Sequence, residues 1–101
     1  MRKNIAIERA LKKFGANLKI ARLRRNLSQD LIAERAGFSL STLSHIEKGN
    51  PSVSIGNYAA YCNSVGLDIP FASIADPLKD ETAFFMEMDA MRKRARKEKE
   101  E

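Results

Sequence analysis

Cysteine, histidine and tryptophan are almost missing from this chain of 101 residues, which has one Cys, one His and no Trp. A lone Cys closes no disulfide within the chain, and one Cys with one His falls short of the ligand sets that hold zinc. Without paired inward carboxylates or a metal cluster, no catalytic machinery can be assembled, so a non-enzyme that needs no cofactor is expected. No apolar run approaches the roughly 18 residues of a membrane span, and the opening MRKNIAIERALKK lacks a signal-peptide core. A cytoplasmic protein with no membrane partner is the expectation. Strand-type alternation and Gly-rich phosphate loops are also lacking.

What is present suits one small helical domain: 44% hydrophobic residues, 31% charged, and a net charge of +5 with a pI near 9.6. That charge favours an anionic partner without separating nucleic acid from a membrane surface. Its distribution is more informative. Residues 1–35 carry ten basic and three acidic side chains, residues 36–75 one and two, residues 76–91 one and five, and residues 92–101 six and three. A basic N-terminal third and an acidic segment before a charged tail point to one DNA-facing side and a second surface with a different task.

Periodicity divides the chain into helices. Ile7, Leu11, Phe14 and Leu18 share one face of a helix from Ile5 to Arg25, or of two joined near Gly15, with Arg9, Lys12, Lys13, Lys19, Arg22 and Arg24 mostly off it. Ser28 caps a short helix from Gln29 to Ala36 with Ile32, Ala33 and Ala36 inward, and Gly37 stops it. Ser39 caps the next, Leu40 to Lys48, with Leu43 and Ile46 inward. Ser54 caps a fourth helix whose stripe is Ile55, Ala59, Cys62 and Val65. Leu67 to Ala75 reads as a loop leading into a short fifth helix. Asp76-Pro77 then starts a sixth, whose apolar residues cover most of its circumference. The tail RKRARKEKEE has no apolar residue beyond Ala95 and reads as mobile. The fold class is therefore all-α.

Two helices of about eight residues joined by a tight Gly-containing turn form a helix-turn-helix, a unit that also occurs as plain structure. The segments Leu27-Ser28-Gln29, Ile32-Ala33, Ala36-Gly37-Phe38-Ser39, Leu43-Ser44, Ile46-Glu47-Lys48-Gly49 and Pro51-Ser52 resemble the signature of the lambda-repressor-like, XRE-type regulators. The resemblance spans roughly residues 14–67 and implies a five-helix DNA-binding domain, here with an additional C-terminal helix. It also implies that Leu40, Ser41, Ser44 and His45 face base edges. Gln29 would bond a phosphate and buttress the recognition helix, and Thr42, Lys48, Asn50 and Ser52 would lie along the DNA backbone. Arg24, in the basic end of the first helix, is expected as a further phosphate contact. The helical wheel agrees, since inward Leu43 and Ile46 leave 41, 44, 45 and 48 outward. Serine hydroxyls suit either base type, His45 can donate to guanine, and Leu40 suits a thymine methyl. Two features depart from the signature: Leu31 stands at a usually polar position, and no Gln or Arg is placed for a bidentate base contact.

The basic end of the first helix, the segment Pro51 to Gly56 and Ala75-Asp76-Pro77 followed by Asp80-Glu81 are similar to HipB-like antitoxin regulators. That resemblance implies a homodimer on its own double-stranded DNA operator, and a HipA-like kinase toxin as partner. Because one recognition helix covers only a few base pairs, the operator is expected to be an inverted repeat. A stand-alone repressor and a protein-bridging helical module are the alternatives. The expected division is a DNA-binding domain over residues 1–75, an interaction helix over 76–91 and a flexible tail over 92–101. Phe84, Phe85, Met88 and Met91 are the expected partner or dimer contacts, because Met-rich apolar surfaces adapt to partners. Location in the cytoplasm, at the nucleoid, follows from these readings.

Overall fold

Four side-chain caps set where the helices begin in the computed structural model, which describes residues 3–100, with the side chains of residues 70 and 100 left aside. Asn4 accepts from the backbone of Ala6 and Ile7 and starts α1, Ile5–Arg24. Ser28 accepts from the Leu31 N–H and starts α2, Gln29–Ala36. Ser39 does the same with Thr42 for α3, Leu40–Glu47, and Ser54 with Asn57 for α4, Ile55–Ser64. Each cap satisfies a donor that the first helical turn leaves unpaired. The first helix is continuous through Gly15. Gly37 ends α2 in the left-handed conformation, φ 77°, and its N–H bonds to Ala33 at 2.9 Å.

The chain divides into two units, one ending at Ile69 and the other beginning at Pro70. In the first, α1 to α4 enclose a core of Leu18, Ala21, Ile32, Ala33, Leu43, Ile46, Tyr58, Tyr61, Cys62 and Val65. Phe14 stacks on Tyr58 with ring centroids 5.4 Å apart. Several expectations need correction. Ile7, near the start of α1, is exposed, as is Ile55 in the first turn of α4, while Leu11, Phe14, Ala36 and Ala59 are half-buried. Tyr58 and Tyr61 take the inward positions of α4 instead. Arg22, expected off the apolar face, is buried, at 6% exposure.

The second unit holds two 3-10 turns, Pro70–Ser73 and Pro77–Lys79, and α5, Glu81–Glu100. No fifth α-helix follows α4 directly; the 3-10 turn Pro70–Ser73 stands there, outside the first unit. Asp76 caps a three-residue turn through the Leu78 N–H, and the long helix starts after Asp80, whose carboxylate accepts from the Ala83 N–H. Residues 92–100, within the expected tail, continue α5 as helix. Its composition explains this: Arg, Lys, Glu and Ala are good helix formers and nothing breaks the run. The expected boundaries at residues 1, 2 and 101 lie outside the described residues. All described regular structure is helical.

Gly15 sits where α1 meets the end of α3. A Cβ at Gly15 would lie 2.7 Å from the Gly49 nitrogen and 2.8 Å from the Glu47 carbonyl oxygen, and closer still to that of Ile46. Backbone cannot yield as a side chain can. Gly15→Ala should therefore lower stability by about 1–3 kcal/mol through overpacking, although an open helical site would gain roughly 1 kcal/mol from the same change. Urea unfolding of both proteins measures this directly.

Candidate nucleic-acid interface

The face of α3 opposite Leu43 and Ile46 carries Ser41, Ser44, His45 and, at the C-cap, Lys48. Spacings of three and four place them along one side of the helix. Ser41 and His45 are exposed, Ser44 is half-buried, and Leu40 is 49% exposed at the helix start. Thr42 is turned toward the cap, where its hydroxyl accepts from the Ser39 Oγ at 3.1 Å. Asn50 and Ser52 occupy the turn after α3, and the Asn50 Oδ1 accepts from the Ser52 N–H at 2.8 Å. The Asn50 amide also meets the Nδ1 of His45 at 3.2 Å. Eight of the expected residues thus share α3 and the turn that follows it, with Ser52 tied to Asn50. Arg24 is exposed in the last turn of α1, with no hydrogen bond tying it to this group. Phe84, Phe85, Met88 and Met91 are exposed on α5, in the other unit. Phe84 and Phe85 pack edge to face at 5.9 Å beside an open groove of about 800 Å³ that Pro77, Leu78 and Glu81 also line.

The anchor of α3 lies beneath it. Glu47, in its last turn, receives the Arg22 Nε at 2.8 Å and a second guanidinium nitrogen at 3.3 Å. Tyr61 donates its hydroxyl to the same carboxylate, and Gln29 donates its amide at 3.2 Å. The remaining Arg22 nitrogen bonds the Leu27 carbonyl at 3.0 Å. All four helices of the first unit therefore meet at one carboxylate. Gln29 thus bonds the end of α3 through Glu47, and its expected phosphate contact is a matter for the bound state. Arg22, Glu47 and Tyr61 were not singled out from the sequence as a group. One signal was at hand, because Glu47 lies within the Ile46-Glu47-Lys48-Gly49 segment of the signature.

Burial alone pushes the Glu47 carboxyl up, but hydrogen bonds from Arg22, Tyr61 and Gln29, with the Arg22 charge, outweigh it and hold the group below its ordinary value. The Arg22 guanidinium is raised, chiefly by its hydrogen bond to Glu47. Burial and the neighbouring carboxylate push the Tyr61 hydroxyl up, so it stays a donor.

A family of helix-turn-helix domains matches residues 13–70, more than half of the chain. The chain belongs to the helix-turn-helix family. Membership supports a DNA-binding regulator, and the matched span contains α2, the turn and α3 with every residue of the Glu47 cluster. Comparisons with curated proteins and with solved structures give no match. No described helix of this helix-turn-helix protein is long and apolar enough to cross a membrane.

Because Glu47 is lowered in the folded state, its contribution is complete above the unfolded carboxyl value, near pH 4.3, and is lost as pH falls through the folded one. Glu47→Gln leaves the buried Arg22 charge without its partner and should cost about 3–5 kcal/mol at neutral pH. The variant's stability should also fall less steeply than that of the parent as the pH drops below about 5. Denaturant titrations across that range, in both proteins, test the cost and the slope.

Proposed function

We propose that this protein is a sequence-specific DNA-binding transcriptional repressor that reads its operator with α3. The observation that carries the reading is the row Ser41, Ser44 and His45, turned outward on a helix whose inner face is locked by Leu43, Ile46 and Glu47. Short polar side chains on a rigid helix suit base edges in the major groove, and Leu40 at the helix start suits a thymine methyl. Lys48, Asn50, Ser52, Thr42 and the Gln29 end of α2 border that row and suit the sugar-phosphate backbone, with Arg24 a further phosphate contact. The lambda-repressor-like, XRE-type likeness of the signature supports the same reading.

One helix of this size covers only a few base pairs, so the operator is an inverted repeat bound by a two-fold dimer, with half-sites about one helical turn apart. The acidic segment 76–91 is unsuited to DNA, and its exposed Phe84, Phe85, Met88 and Met91 serve a protein contact. Self-association is the favoured use, because a two-fold operator requires a dimer. The finer reading is that the repressor is also the antitoxin of a HipA-type kinase toxin, supported by the likeness of the Pro51–Gly56 and Ala75–Glu81 segments to HipB-like regulators. It acts at the nucleoid, in the cytoplasm.

His45→Ala should weaken binding to the operator by roughly 1–3 kcal/mol, with binding to random duplex and thermal stability nearly unchanged. Equal losses on specific and random DNA would make His45 a backbone contact. Between low and moderate salt, affinity should fall by about three to five decades if six to ten phosphates are neutralised. A salt-independent interaction would remove the DNA reading altogether. The role of α5 is tested by truncation after Ala75. Light scattering should find the truncated protein monomeric with weakened operator binding, and an intact dimer of unchanged affinity would exclude α5 as the dimer contact.

A further inference from the structure

His45 is the only histidine in the chain, and one of its ring nitrogens already has a partner. Which nitrogen carries the proton is read from the orientation of the Asn50 amide, and the contact of its Oδ1 with the Ser52 N–H sets that orientation. The Asn50 N–H donates to the His45 carbonyl at 2.9 Å, and its own carbonyl accepts from the Tyr58 hydroxyl at 2.8 Å. The Oδ1 is occupied by the Ser52 N–H at 2.8 Å, a contact only an oxygen can make. The group facing His45 Nδ1 at 3.2 Å is therefore the NH2, which donates and cannot accept. A ring nitrogen that accepts is unprotonated, so the neutral ring carries its proton on Nε2.

We infer that Asn50 is a positioning residue that sets the tautomer of His45, leaving Nε2–H as a donor for acceptor atoms on a base edge. In the major groove those acceptors are guanine O6 and N7, adenine N7 and thymine O4, with guanine the best match because it offers two side by side. The amino groups of cytosine and adenine are refused, since donor would meet donor. This rests on the reading that α3 enters the major groove. Asn50 acts on specificity through His45, in addition to or in place of any contact with the DNA backbone.

Two measurements test it. Long-range nitrogen correlations of the free full-length protein at about pH 8.5, where an imidazole is neutral, report a single ring. The wild type should show a protonated Nε2 and a bare Nδ1, more completely than Asn50→Ala, which returns the ring to the mixture of a free imidazole. Asn50→Asp keeps an acceptor for the Ser52 N–H but presents only acceptors to the ring, and should move the proton to Nδ1. Wild-type and Asn50→Ala rings with the same nitrogen resonances at that pH would overturn the inference.

The second measurement uses duplexes selected by the wild-type protein from a randomised library, and scrambled duplexes of equal length. At the same pH, Asn50→Asp should lower the ratio of specific to scrambled affinity about tenfold. In a His45→Ala background the same change should leave that ratio within about twofold. An equal loss with and without His45 would mean that Asn50 acts on DNA or on the turn by itself, and overturns the inference. A failed ring lock overturns the inference alone. Loss of nothing in His45→Ala overturns the base-reading role of that residue and the inference with it.

Discussion

One carboxylate organises the first unit. Glu47 sits in the last turn of α3 and takes hydrogen bonds from Arg22 on α1, Gln29 on α2 and Tyr61 on α4. A carboxylate can accept about four such bonds, and with two from Arg22 its capacity is filled, so the cost of removing it and Arg22 from water is offset by pairing rather than avoided. A well-packed apolar set in the same volume would serve stability at least as well. An apolar set, however, specifies volume, and several rotations of α3 can fill a volume. The forked guanidinium, the phenol and the amide each demand a direction, so together they admit one rotation of α3 about its axis. The residues on its outer side are placed by the same constraint.

A second constraint acts on distance. Gly15 in α1 and Gly49 after α3 allow their backbones to meet, with Gly49 itself at φ 72° and a Cβ there overlapping the Leu11 carbonyl and the Lys12 Cα. Any side chain at either position pushes the end of α3 away from α1. Directional bonds and close backbone approach thus work on the same helix end, one setting its rotation and the other its depth. Tyr58 extends this hold beyond the helix, stacking on Phe14 and donating to the Asn50 carbonyl in the turn that follows.

Much of this was legible from the residues. Ser28, Ser39 and Ser54 cap because each precedes an apolar period, and Gly37 stops α2 because a left-handed residue is needed there. Leu43 and Ile46 are inward and Leu18, Cys62 and Val65 are core, as their spacing requires. The failures have a common physical cause. Reading burial from hydropathy favours Ile55 over Tyr58 and Tyr61 and places Arg22 in solvent, yet a Tyr or an Arg buries its body when its polar end finds a partner. The stripe Tyr58, Tyr61, Cys62 and Val65 has helical spacing of its own, so the alternative was present in the sequence. Asp76-Pro77 has the form of a helix start and begins one turn, because Asp80 offers a second cap just downstream. In α5, a stretch with no apolar residue beyond Ala95 is still helical because intrinsic propensity favours helix there, and Asp89 and Lys93 pair along it at 3.1 Å.

The choice of side chains on α3 and the stiffness of what lies beneath it belong together. A base reader such as Arg reaches several ångströms on rotatable bonds and can correct a misplaced helix. Ser41 and Ser44 cannot, because a serine hydroxyl lies one bond beyond Cβ, so in the proposed reading its distance to a base edge is the distance of the helix backbone. Specificity from short side chains therefore requires a backbone already held at the right depth and rotation, at an entropic cost that folding has met before DNA arrives. Gly15, Gly49 and the Glu47 cluster supply that placement. The absence of long bidentate readers on this helix and the rigid four-helix junction below it are, on this argument, two sides of one solution.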